Sequence, residues 1–364
     1  MTIEPMREHR VMQRVRMALV AGLALTPAVA ASSTWVVDPA GPLSSIQAAI
    51  EQAHPGDVVL VQPGVYHERL VLREGVSLVA PTPGSVTVDA EAEGPAVTAA
   101  GISSATTISG FIFTHGSSSA GGGLSGAAVD AVFSQCTFVD NSAALGGGAY
   151  LHQGSRATFA SCTFSGNVAS VGGGFYLDFA AIQISGSTVR DNHAQDGAAL
   201  SANNAAEANV STTSFYGNVA TDGTVIACNL ASPRFVNCTI AANTCGLGVI
   251  AMRGSASRIE RSIVAGNSGP ALVCDGFNSP WVGCSLFWGN ANDTICGGDQ
   301  GTNLFVDPRF CNPAQDDFQL AADSPAATVT CGILGAEPVA CPAQGIETAL
   351  RDVDWSAIKK LFRN

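Results

Sequence analysis

One asparagine slot recurs through the central part of the chain, at Asn141, Asn167, Asn192, Asn218, Asn243, Asn267 and Asn290, with intervals of 26, 25, 26, 25, 24 and 23 residues. Four of these residues close a Phe-x-x-Asn motif: Phe138 with Asn141, Phe164 with Asn167, Phe215 with Asn218 and Phe287 with Asn290. A unit of this length cannot enclose a core of its own. It must bury its apolar face against the next unit, so a period in this range specifies a solenoid.

The register within the unit is regular. Five residues before the Asn the side chain is small: Cys136, Cys162, Ser187, Thr213, Cys238, Ser262 and Ser285. Eight before it stands an apolar residue: Phe133, Phe159, Ile184, Val210, Phe235 and Ile259. Five after it comes glycine: Gly146, Gly172, Gly197, Gly223 and Gly248. The apolar runs are short and rich in β-branched and aromatic residues, which suits strands and not helices. Each unit therefore reads as one coil of two or three short strands with glycine corners. The fold expected is an all-β, right-handed, single-stranded parallel β-helix of about ten coils with a short N-terminal capping helix. Equivalent residues of successive coils then stack about 4.8 Å apart, and the asparagines form an inward structural ladder. Asp140 and Asp191 each precede a ladder Asn, but Gly166 interrupts that column, and no role is read for it.

Phe-x-x-Asn combined with Gly-Gly-Gly-Ala-Tyr-Leu at 146–151 or Gly-Gly-Gly-Phe-Tyr-Leu at 172–177 resembles the repeats of polymorphic outer-membrane proteins and, more widely, of bacterial right-handed parallel β-helix repeat proteins of the pectin-lyase-like superfamily. The resemblance covers roughly residues 120–290 and implies the fold. It says little of function, because one scaffold carries unrelated activities. Upstream, Ile46-Gln47-Ala48-Ala49-Ile50, Pro55-Gly56-Asp57 and Gly64-Val65-Tyr66-His67-Glu68 resemble the opening coils of periplasmic copper-site β-helix proteins and pectin methylesterases. The esterase segments Asp-Phe-x-Phe-Gly and Gly-Arg-Pro-Trp are missing, so Tyr66 and Glu68 are read as structural.

The chain divides into three parts. Residues 1–30 read as a signal peptide: Arg7, Arg10, Arg14 and Arg16 precede a short apolar stretch that ends in Ala28-Val29-Ala30. Residues 31–342 form the β-helix domain. Ile46, Ala49, Ile50 and Ala53 lie on one face of its capping helix. Residues 303–341 are expected to close the helix as a disulfide-assisted C-terminal cap, and their segments resemble the closing part of exported β-helix proteins. Residues 343–364 form a tail, with Trp355, Ile358, Leu361 and Phe362 clustered as in a sorting or anchoring segment. Export places the protein outside the cell or on its surface, and a monomer is expected.

Formal charge is −12; without the four arginines and two glutamates of the leader, 13 basic and 27 acidic side chains leave −14. That disfavours nucleic acid and anionic membranes as partners, and no apolar run after the leader is long enough to span a bilayer. Eleven cysteines leave at least one without an intramolecular partner. Cys136 and Cys162 are read as small buried residues. The denser set from Cys228 to Cys341 is where disulfides are expected, in and around the C-terminal segment.

Strand alternation turns Tyr150, Tyr176, His152, Asp178, Asn203 and Asn229 outward, because their neighbours Ala149, Phe175, Leu151 and Leu177 are apolar. Stacked tyrosines beside amides and carboxylates make a candidate sugar-binding strip. Arg190, Asp191, His193, Asp196 and Asp222 form a second cluster. Asp196 and Asp222 both lie four after their Asn, and a close carboxylate pair suits calcium binding or glycosidic acid–base work. No cofactor is expected otherwise. The reading is an exported or cell-surface protein with a binding or structural role, contacting polysaccharide or another surface component. The alternative is a polysaccharide lyase or glycoside hydrolase.

Overall fold

The computed structural model describes residues 32–343, apart from 104 and 277–279. The leader expected over 1–30 and residues 344–364 of the tail lie outside the described residues. Strands Val132–Ser134, Thr137–Val139, Ser142–Leu145 and Ala149–His152 make one coil. Each pairs in parallel with its counterpart one coil later: Thr158–Ala160, Thr163–Ser165, Val168–Val171 and Phe175–Asp178. Repetition builds four faces of 12, 10, 6 and 9 parallel strands, a right-handed β-solenoid of about ten turns. The central coils thus carry four strands where two or three are expected. The extra strand follows the Asn, where the ladder fixes the corner and the next four residues run extended before the glycine.

The interior is columns of like on like. Phe133 stacks on Phe159 at 5.2 Å between ring centroids and Phe138 on Phe164 at 4.7 Å, all fully buried. Aromatic pairs add about 0.5–1.5 kcal/mol beyond their area burial. At the corner between the second and third faces, the Asn amides form six direct rungs from Asn141 to Asn290, with Nδ2 to Oδ1 distances of 2.8–3.1 Å. From Asn167 on, each Oδ1 also accepts the backbone N–H of the Asn one coil back, Asn141 Oδ1 accepts from the Gly116 N–H, and each Nδ2 also reaches a backbone carbonyl, as Asn192 does to Phe164 at 3.0 Å. Every polar group at this buried corner is therefore paired. The Cys/Ser/Thr column does similar work at the preceding corner: Ser187 Oγ accepts from the Cys162 N–H at 3.1 Å and donates to the Ser185 carbonyl at 2.9 Å. Cys136 and Cys162 are buried thiols in that column.

The run of glycines at 146–148 serves two purposes. Gly146 has a left-handed φ of 65°. At Gly147 and Gly148 a Cβ would come within 2.7 and 2.6 Å of carbonyl oxygens on the next coil, so only glycine lets the backbones approach.

At the N-terminal end, helix α1 (Ile46–Gln52) buries Ile46, Ala49 and Ile50 against the strands Thr34–Val37, Val58–Val61 and Leu70–Val71. Ser45 caps it by accepting from the Ala48 N–H. Glu68 completes the cap, accepting from the Ile46 and Gln47 N–H groups and from Ser45 Oγ, all at 2.9 Å. Tyr66 is buried and donates to the Gln62 carbonyl. Both residues are structural, as read from the sequence.

The C-terminal segment departs from expectation. Only its start lies at the end of the solenoid. Phe305 stacks near Phe287 there, with centroids 6.2 Å apart. The small sheet Phe310–Asn312, Asp317–Ala321 and Val339–Cys341 instead belongs to a segment folded back along the outer side of the second face. The reason lies in the outward columns. They read Thr137, Thr163, Thr188, Ser214 and Thr239 through most of the face, then turn apolar at Ile263 and Leu286 beside Ala241 and Ala265. Phe310, Phe318, Leu320 and Leu334 cover that apolar patch. Disulfides Cys274–Cys296, Cys284–Cys331 and Cys311–Cys341 staple this end. No helix among the described residues is long and apolar enough to cross a membrane.

Candidate functional site

The fourth face carries the tyrosine strip. Tyr150 and Tyr176 are register partners with ring centroids 5.5 Å apart, and the His152 ring stacks on Tyr150 at 4.8 Å. Inward neighbours Ala149, Leu151, Phe175 and Leu177 are fully buried, which fixes the two strands and turns the rings outward. Partial burial, then the Asp178 carboxylate, raise both phenols above their ordinary value, so both are neutral across the physiological range. Asp178 accepts from Asn204 Nδ2 at 2.7 Å. The result is a half-exposed patch of three rings flanked by a carboxylate and an amide.

The strip does not run on indefinitely. Ser201, Ala227 and Ala251 continue the tyrosine column and are fully buried. Beside them Asn229 Nδ2 donates to Asn203 Oδ1 at 2.9 Å, and Arg253 Nη1 donates to Asn229 Oδ1 at 3.2 Å. The same Nη1 reaches Asp196 Oδ2 at 3.3 Å. Asn203 and Asn229 thus belong to a polar chain ending in an Arg253–Asp196 ion pair, while Tyr150, Tyr176, His152 and Asp178 form the open end of the face. Arg253 is the residue that reasoning by offset misses. It stands in the Asn229 column, but its coil is one residue short, so it falls ten after its Asn instead of eleven.

The second cluster separates into two places. Arg190 and Asp191 pair with each other at the corner between the second and third faces, and His193 opens the third-face strand beyond it. Asp196 lies two residues past that strand, in a bridge with Val171. Its Oδ1 accepts from the Gly197 and Thr224 N–H groups and from Thr224 Oγ1, at 3.1, 2.7 and 2.9 Å. With Arg253 on the other oxygen, this carboxylate is a corner brace. Asp222 sits one coil on, exposed, with its own N–H on the Gln195 carbonyl. Among the described residues no three His, Cys, Asp or Glu side chains group as metal ligands would.

The column before the ladder has a physical reason after all. Asp140, Gly166, Asp191, Gly217, Ala242, Gly266 and Gly289 all adopt left-handed φ, between 53° and 67°. A Cβ at Gly166 would lie 2.4 Å from Asp140 Oδ1, and one at Gly217 would lie 2.3 Å from Asp191 Oδ1. Each aspartate carboxylate occupies the space above the next coil's corner, and the glycine there leaves it that room. The aspartates are corner residues here, in the conformation that Asp tolerates better than most side chains.

These features define a right-handed parallel β-helix protein with one open aromatic patch on its flank. Residues 96–223 match the family model described as the right handed beta helix region. No curated protein matches the sequence. Among solved structures, the chain is similar to the pectate lyase Pel9A at 12% identity and a TM-score of 0.63, over 86% of this chain and 98% of that one. It also aligns with a pectin methylesterase from carrot at 12% identity and a TM-score of 0.44, over 76% of this chain and 88% of that one. The first likeness is one of fold; the second superposes too loosely to add to it.

Proposed function

We propose that this is an exported β-helix protein that binds carbohydrate through the fourth face, without catalysing a reaction on it. The observation that carries the reading is the Tyr150–Tyr176–His152 stack beside Asp178. Flat rings offer the apolar face of a sugar a desolvated platform, and the carboxylate and amide accept and donate to its hydroxyls. The relation to carbohydrate-active folds adds support, and three disulfides fit an oxidising compartment. Binding is favoured over turnover because Asp196, one of the two carboxylates offered for acid–base work, is engaged by Thr224 and Arg253.

A glycan panel tests this. Titration calorimetry is expected to find oligosaccharide binding that falls about tenfold in Tyr176→Ala, the loss of one aromatic anchor, with a comparable loss in Tyr150→Ala. No new reducing or unsaturated ends are expected. Product formation abolished by Asp196→Ala would make the protein an enzyme and sink the reading.

A further inference from the structure

The tyrosine column continues toward the N-terminal end. In register it runs Tyr176, Tyr150, Ser125, Thr98 and Val71. Unlike Ser201 and Ala227 on the other side, these residues are half-buried or exposed, Val71 by 55%. The parallel column shrinks to Ala127 and Ala100 over the same two coils, leaving a low shelf. The shelf opens into a groove of about 520 Å³ whose wall shares Thr98 and Val71. Aromatic patch, shelf and groove thus form one path of four strand spacings, roughly 19 Å.

The groove carries an excess of negative charge. His67, Glu68, Arg69, Asp89, Glu91 and Glu93 line it. Glu68 is held by the start of α1. Arg69 reaches Glu93 at 3.8 Å, and His67 meets Glu91 at 3.1 Å. Three carboxylates therefore remain against one guanidinium. Burial works to raise the Asp89 carboxyl, but the Glu91 N–H and His115 hold it below its usual value, so it is charged at neutral pH. At the other end of the path, Asp178 adds a fourth carboxylate beside the tyrosines.

We infer that the path takes an amine-bearing glycan, a chain of deacetylated hexosamine residues laid along the solenoid axis, with ring faces on Tyr150 and Tyr176 and ammonium groups in the acidic groove. This rests on the aromatic reading of the fourth face and names its ligand class. An acidic sugar chain would meet like charge over the same path.

The test compares a fully deacetylated chitosan hexasaccharide, its N-acetylated counterpart and an oligogalacturonate of equal length, by calorimetry with the whole chain at low and high salt. The deacetylated ligand is expected to bind about fivefold more tightly than the N-acetylated one at low salt, the size a few partly exposed charge contacts supply. The gap is expected to close at high salt and in the double variant Glu91→Gln, Glu93→Gln, whose side chains are exposed enough to leave the fold intact. Equal affinities, or a preference for the uronate, with Tyr176→Ala still weakening binding, would overturn the ligand class and leave the aromatic reading standing. A gap that survives the double variant would overturn the role of the groove. Loss of all tyrosine-dependent binding would remove both.

Discussion

Asp191 and Gly217 show how a single side chain can dictate the residue one coil away. Gly217 is left-handed, and the Asp191 carboxylate stands where its Cβ would go. Gly217→Ala is expected to cost about 2 kcal/mol, of which about 1 kcal/mol is the left-handed strain of any side chain. In an Asp191→Gly background only that strain should remain. Urea unfolding of the four proteins measures the coupling; equal penalties in the two backgrounds would mean the carboxylate is not what excludes the side chain. This column was not legible in the sequence, because a left-handed φ is compatible with Asp, Gly and Ala242 alike and the pattern looks broken. The Asn ladder was legible because one residue type alone offers two donors and an acceptor pair of the right length at every corner. The aromatic patch was legible from strand alternation. The reach of Arg253 was not, since a one-residue coil contraction moves it off the offset.

At the scale of elements, the C-terminal segment is the part held by covalent bonds. Cys284–Cys331 and Cys311–Cys341 hold it and Cys274–Cys296 ties the last coils beside it; the three close loops of 47, 30 and 22 residues, each worth about 3–4 kcal/mol by loop-closure arguments. The coils before it rely on ladder and core. Mild reduction is expected to free six cysteines and loosen the segment folded on the second face, while the repeats stay folded. Cys136, Cys162, Cys228 and Cys238 are buried, and burial pushes the Cys228 and Cys238 thiols up to about 12, so thiolate is scarce. Alkylation followed by mass spectrometry should label the six at once and those four only after denaturation. Early labelling of Cys162 or Cys238 would show that the disulfides hold the coils as well. Cysteine density located these bonds in the sequence; the pairing of Cys284 with Cys331 depends on the fold-back of 310–341, which the apolar turn of the outward columns at Ile263 and Leu286 signals only once the register is known.

Over the whole molecule, the strands of each coil pair only with those of its neighbours, so stability is close to a sum of coil terms and nearest-neighbour terms. Amides in the middle of the ladder, around Asn167, Asn192 and Asn218, have packed coils on both sides and are expected to exchange hydrogen most slowly. Protection should decline toward the strands at Val58–Val61 and Leu286–Trp288, and uniform protection along the axis would mean the solenoid opens all at once. The same neighbour-only wiring bears on ancestry. Dedicated pieces close the two ends, α1 at one and the stretch around Phe305 at the other, and neither touches the central coils. An unequal crossover that copies one Asn-to-Asn unit would add a rung, about 4.8 Å of length, and leave both closures untouched. Size in this protein is a heritable count, and the intervals drifting from 26 to 23 residues are what copies diverging from a common unit would leave behind.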